Sequence, residues 1–345
     1  MENKLPYSPS WIDRFTRWFD RVPGPKWLYY MIAAIVLALV HAIINWQSGA
    51  YPAGTFDAFH VWFVVEIVMT VAFVHYLDRY SDAALERFRP ALQISDDAYA
   101  DLRYQLTHLP PRRTLVISLL MGVLFAGVVA AAPSEMMRQF NFDSTPTLKA
   151  INVGLFAVTW FLFGTLYYHA FHQLRLISRI YAEHAQIDLL SLLPLYAFSG
   201  VTARTAIGIT IMNVMWTITE PQTLSANLTS AVPYLIMALI IFVWPLWGLH
   251  RRILIEKRRA IDANGQHWQA ITAGLHRDAE AKMIDSATKY RDFLISLDME
   301  RSLLKKVPTW PWEPETLRGF LSALALPIVL FLIQYVIGQM LSGGK

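Results

Sequence analysis

Six stretches of about 20 residues, close to the length a helix needs to cross a bilayer core, carry almost no charge: Trp27–Trp46, Phe59–Leu77, Thr114–Ala132, Ile151–Phe171, Ala231–Leu249 and Phe320–Leu341. A chain built this way folds as a multi-pass membrane protein. Its surface chemistry agrees: 16% of the residues are charged, against about 25% in an average soluble domain. Cysteine is absent, which excludes disulfides, thiolate nucleophiles and thiolate metal sites. The basic residues sit beside the apolar runs, so membrane lipids rather than nucleic acid are the expected partner.

A weaker candidate, LLPLYAFSGVTARTAIGITIMNVMWTI, lies between the fourth and fifth of these runs and contains Arg204 and Asn213. Charge placement resolves it. The N-terminal segment holds five Lys and Arg, the 78–113 segment six, 173–204 three and 250–318 thirteen; only three lie elsewhere. Retention of positive charge on the cytoplasmic side puts 173–204 and 250–318 on the same side, so the weak candidate must cross. The expected fold is all-α: seven transmembrane helices, N-terminus inside, a short C-terminus outside, and cytoplasmic helical extensions. No cleavable signal peptide is expected, and a plasma-membrane location is.

Four regions follow. Residues 1–26 form an interfacial amphipathic segment, with Ser8 as cap and Pro9 as first helical residue; Trp11, Ile12, Phe15, Trp18, Phe19 and Val22 face away from Asp13, Arg14, Arg17, Asp20 and Arg21. That face suits a membrane surface or the protein's own helices. Residues 27–250 supply six spans, the fourth continuing as helix to Pro194. Residues 251–318 form a cytoplasmic segment in which Asn264-Gly265 weakens the first helix and Asp278–Lys306 makes a second, with an apolar stripe at Phe293, Leu297 and Leu304. Residues 319–345 are the seventh span and tail.

Between the last two regions lies KKVPTWPWEPETLRGF. Pro308 and Pro311 cannot continue a helix, Trp310 and Trp312 suit headgroup depth, and Glu313-Pro314-Glu315 reads as a helix start. This elbow is expected to set the entry angle of span seven and to couple it to the cytoplasmic helices. In span seven, Ala323, Pro327, Gln334, Gly338 and Ser342 gather on one side at 100° per residue, fit for close packing or, in an oligomer, for lining a wet path.

Ionisable groups within the spans are functional candidates. Glu66 is one, with Arg204 or a histidine as the expected partner. His75 with His169 or His172 offers a bis-histidine haem or metal alternative. No nucleotide loop, catalytic triad or carboxylate pair is present, so no enzyme activity and no required cofactor are expected.

The seven spans, the inside N-terminus, the extended fourth and sixth helices and the minimal tail resemble the insect chemoreceptor type of seven-helix ion channels. That resemblance implies a homo-oligomer, a tetramer by analogy, held by a cytoplasmic anchor, with the last helix lining a path for small ions. The WPWEPETLRG elbow is similar to one in uncharacterised bacterial multi-pass proteins. The expected function is therefore a homo-oligomeric channel; the alternatives are a haem- or metal-binding redox protein and a transporter with Glu66 as its proton-coupled group.

Overall fold

The computed structural model describes residues 6–131, 145–219, 224–281 and 287–342, with side chains left aside at 217–218, 224–231, 287, 327, 334–335 and 337–342. The described residues are helical, with no strand among them. Ten α-helices follow in order: α1 (Trp11–Asp20), α2 (Lys26–Ser48), α3 (Ala58–Phe88), α4 (Asp96–Thr107), α5 (Pro111–Ala130), α6 (Pro146–Glu183), α7 (Ser199–Thr219), α8 (Leu224–Glu280), α9 (Ala287–Lys306) and α10 (Pro314–Ser342). Seven helices are long and apolar enough to cross a membrane, including the weak candidate, now α7.

The arrangement inverts that of a water-soluble protein. Ile35, Val36, Leu39, Leu119, Leu120, Val123, Ile236 and Ile240 lie exposed on α2, α5 and α8, while Asn45, Glu66, Ser118, Asn152 and Thr165 are buried. A bilayer as solvent makes both choices favourable, because lipid tails accept apolar side chains and reject polar ones. α3 occupies the centre, packed against α2, α6 and α7; α10 lies against α7 and α8.

The tightest seam joins α5 and α6, and small residues create it. A Cβ added at Gly164 would stand 3.0 Å from the Ile117 carbonyl oxygen, and one at Gly122 2.9 Å from that of Ala157. The close backbones let Ser118 and Thr165 share a 2.7 Å hydrogen bond, the small-residue packing that membrane helices use in place of a hydrophobic drive. Gly164→Val is expected to lower stability by about 1–3 kcal/mol through overpacking. Thermal unfolding in detergent reads this out; an unchanged midpoint would refute the seam.

Several sequence expectations are corrected. α1 is capped by Ser10, not Ser8, with a reciprocal Ser10–Asp13 capping box. α6 ends at Glu183 rather than running to Pro194. Arg252 of α8 captures its terminal carbonyls, donating to Tyr181 O and, at 3.3 Å, to Ala182 O, which are acceptors a helix end leaves open, and at 3.0 Å to Ala185 O just past the end. α8 does not weaken at Asn264-Gly265 but continues to Glu280. The Asn264 amide instead donates sideways to Leu297 O (2.9 Å) and Glu300 (2.7 Å) on α9, latching the two helices. The second helix therefore begins at Ala287, not Asp278, and residues 282–286 lie outside the described part. Of the expected stripe only Leu304 is buried; Phe293 is 60% exposed.

Candidate functional site

Glu66 is an acid placed inside the bundle by α3. Asp57 caps α3 by accepting from His60 N–H at 3.0 Å, and six residues on the helix carries Glu66 into the bundle, where it is 0% exposed. Its partner is neither Arg204 nor a histidine, as the sequence suggested, but the Trp216 indole N–H of α7, which donates to Oε2. Oε1 has no hydrogen-bond partner among the described residues. Three phenyl rings fix the indole: Phe59, Phe63 and Phe156 meet it edge-on at centroid distances of 5.4, 5.9 and 6.1 Å. Edge-to-face packing of this kind is directional, so the aromatic box aims the N–H. One turn earlier on α7, Asn213 accepts from Tyr167 O–H of α6 at 3.0 Å.

A second polar node stands toward the amino-terminal end of α3. His41 of α2 and His60 of α3 face each other at 5.3 Å between ring centroids. His41 Nε2–H donates to Asn152 Oδ1 of α6 at 3.0 Å, and Asn45 donates to His41 Nδ1 at 3.3 Å. His60 Nδ1–H reaches Asp57 at 3.2 Å, and that hydrogen bond is the main influence holding the Asp57 carboxyl below its usual range. Asp57, His60, His41, Asn45 and Asn152 thus form one polar cluster near the start of α3.

At the opposite, arginine-rich end the other histidines go to separate partners. His75 Nε2–H donates to Asp20 (3.1 Å) while its Nδ1 accepts from Tyr30 O–H (3.0 Å). His169 Nε2–H donates to Asp78 at 2.7 Å, and His172 Nε2–H to Gln105 O at 3.0 Å. His75, His169 and His172 thus hydrogen-bond to three different acceptors. No cluster of three metal-ligating side chains occurs among the described residues. A cleft of ≈180 Å³ opens here, lined by Asp13, Asp20, His75, Asp78, Arg79 and His108 among others.

Arg204 turns away from Glu66. Its Nε–H donates to Tyr76 O–H at 2.8 Å and its guanidinium lies 4.0 Å over the Tyr80 ring, a cation–π contact. The elbow is ordered by α8. Trp310 stacks on His250 (4.0 Å) and on Trp312 (4.4 Å); Trp312 continues onto Phe242 (5.2 Å), and Phe242 onto Phe320 (4.2 Å). Lys257 donates to Lys305 O and Val307 O at 2.8 and 2.7 Å, and Pro311 is buried. Pro308 lies in the turn, and α10 begins at Pro314 as expected.

Of the residues singled out in span seven, Ala323 is half-buried, and the side chains of Pro327, Gln334, Gly338 and Ser342 lie outside those described. In the described part of α10, Phe320 and Phe331 are buried while Leu321, Ile328, Val329 and Leu332 are exposed. The residues that sequence reasoning missed are Trp216, Asn45, Asn152 and Asp78. Asn45 and Asn152 were visible as uncompensated amides within apolar runs. Nothing local marked Trp216, since its role comes from packing.

No family model, no curated protein and no solved structure matches this chain. Fold and site define its class: an all-helical protein with seven helices fit to span a membrane and a carboxylic acid sealed among them.

Proposed function

We propose that this chain is a proton-translocating membrane transporter in which Glu66 carries the proton. The carrying observation is a fully buried carboxyl whose polar neighbours are the neutral indoles of Trp216 and Trp62, with no cation beside it among the described residues. An unpaired carboxylate in such surroundings is costly, and proton uptake removes the cost. A site of this kind couples a proton to conformation, because the carboxyl can discharge only where water or a base reaches it. The arginine-rich end faces the cytoplasm in this reading. The test is a pH jump across proteoliposomes with an internal dye: gradient-driven proton entry is expected with the wild-type protein, and none above empty vesicles would overturn the proposal.

A second reading, the homo-oligomeric channel whose last helix lines the path, is favoured by one observation. Ile295, Met299 and Leu303 are exposed along one side of α9, at the arginine-rich end, and the described residues leave them uncovered, Met299 and Leu303 lining an open groove. A second copy is the simplest cover, and the elbow would then transmit movement of the anchor to α10. The mass of the particle in detergent decides: a strict monomer, unaffected by Met299→Glu, removes the shared path.

A further inference from the structure

The helical wheel of α1 sets aromatics against charges, yet the structure divides the helix differently. Of its two acids, Asp13 is turned into the protein and Asp20, at the surface, is paired with neighbours on α3. Asp13 is buried and accepts from Ser10 N–H at 2.7 Å and from Leu109 N–H at 3.0 Å. The Asp20 carboxylate is occupied by His75 and by Arg79, at 3.1 and 2.5 Å. Ile12 and Thr16 are buried beside Asp13. What remains outward is Arg14 and Arg21 together with Phe15, 40% exposed, and Trp18, 59% exposed; Arg17 instead donates to Asp13 O at 3.2 Å and lines the acidic cleft. Folding has thus separated the charges of a mixed helix, leaving cations and aromatic rings on the free side.

We infer that this outward face of α1 is a docking surface for the anionic headgroups of the bilayer. Charge selects the occupant, since no carboxylate of α1 is left to neutralise the arginines. Position supports it: five residues after α1, with a turn at Gly24 (φ 100°), Lys26 and exposed Trp27 begin the membrane helix α2. The face therefore lies beside the bilayer entry of its own chain. Arginines reaching phosphate with Phe and Trp among the acyl-chain ends is the chemistry of an interfacial helix. Asp13 ties that helix to the turn before α5, and Asp20 ties it to α3.

Because the chain lacks cysteine, Phe15→Cys supplies a single thiol for an environment-sensitive fluorophore while keeping Trp18 and the arginines. The full-length protein is placed in nanodiscs of phosphatidylcholine alone or with one third phosphatidylglycerol. Quenching by acrylamide, a neutral probe, is expected to fall several-fold in the anionic discs. It is expected to recover in Arg14→Gln/Arg21→Gln and at high salt. Equal quenching in the two discs, or protection that survives the arginine changes, overturns the inference. So does protection in neutral discs by added polyglutamate, which would assign the face to an acidic protein. Soluble glycerol phosphate without anionic lipid is expected to give no protection; protection would mean a free-phosphate site instead. Should Phe15→Cys fail to give a monodisperse protein, the exposed Ser8→Cys gives the same reading with the whole face intact.

Discussion

Glu66→Gln is expected to abolish pH-gradient-driven proton entry into proteoliposomes, a loss of at least about tenfold, equivalent to 1.4 kcal/mol or more. Gln matches Glu in shape and keeps an oxygen toward the Trp216 indole, and no described cation is stranded by loss of the charge. Folding should therefore survive, so that loss of flux reports the missing proton carrier. Glu66→Asp keeps the acid but withdraws it from Trp216, and partial flux is expected. Trp216→Phe keeps the wall of rings and deletes the donor, leaving the carboxyl without that partner at a cost of about 1–3 kcal/mol. Flux is expected to fall with altered pH dependence while the protein remains folded. Full flux in Glu66→Gln would end the assignment.

Trp310→Ala/Trp312→Ala is expected to give the largest loss of stability outside the spans. The two rings link His250 and Phe242 of α8 to Phe320 of α10 in one continuous stack. Each aromatic pair contributes about 0.5–1.5 kcal/mol beyond its buried area, and four pairs involve the deleted rings, since Trp310 also meets Trp247 edge-on at 5.7 Å. With both rings half-buried, a total of about 2–6 kcal/mol follows from the pair terms. A fall in the detergent unfolding midpoint is expected, with faster proteolysis between Lys305 and Arg318. Lys257→Met should do less, since it removes one exposed and one part-buried charge-assisted bond and leaves the stack whole. Unchanged proteolysis in the double variant would show that the elbow hangs free of α8.

The spans and the elbow were legible in the sequence because each rests on local rules. Twenty apolar residues fix a span, and Glu313-Pro314-Glu315 starts α10 through proline geometry and first-turn acids alone. Even α7, ambiguous by hydropathy, followed from charge placement around it. What the sequence misjudged depends on contacts between distant elements. Gly265 would weaken an isolated helix, but Asn264 gains two bonds to α9 that hold α8 straight through it. α6 looked unbroken because its stop is Arg252, more than sixty residues away along the chain. Glu66 stood out at once, as any acid in an apolar run does, whereas its partner could not be inferred. Arg204 was the obvious cation, yet Tyr76 and Tyr80 hold it elsewhere. The histidines suggested a shared ligand by type and depth; the structure gives each its own acceptor.

The most direct measurement is an infrared difference spectrum of the protein in lipid between acidic and alkaline pH, recorded for wild type and Glu66→Gln. A protonated carboxyl band present in the wild type, absent from Glu66→Gln and displaced in Trp216→Phe is the expected result. Superimposable wild-type and Glu66→Gln spectra would show that Glu66 exchanges no proton, and would contradict the assignment.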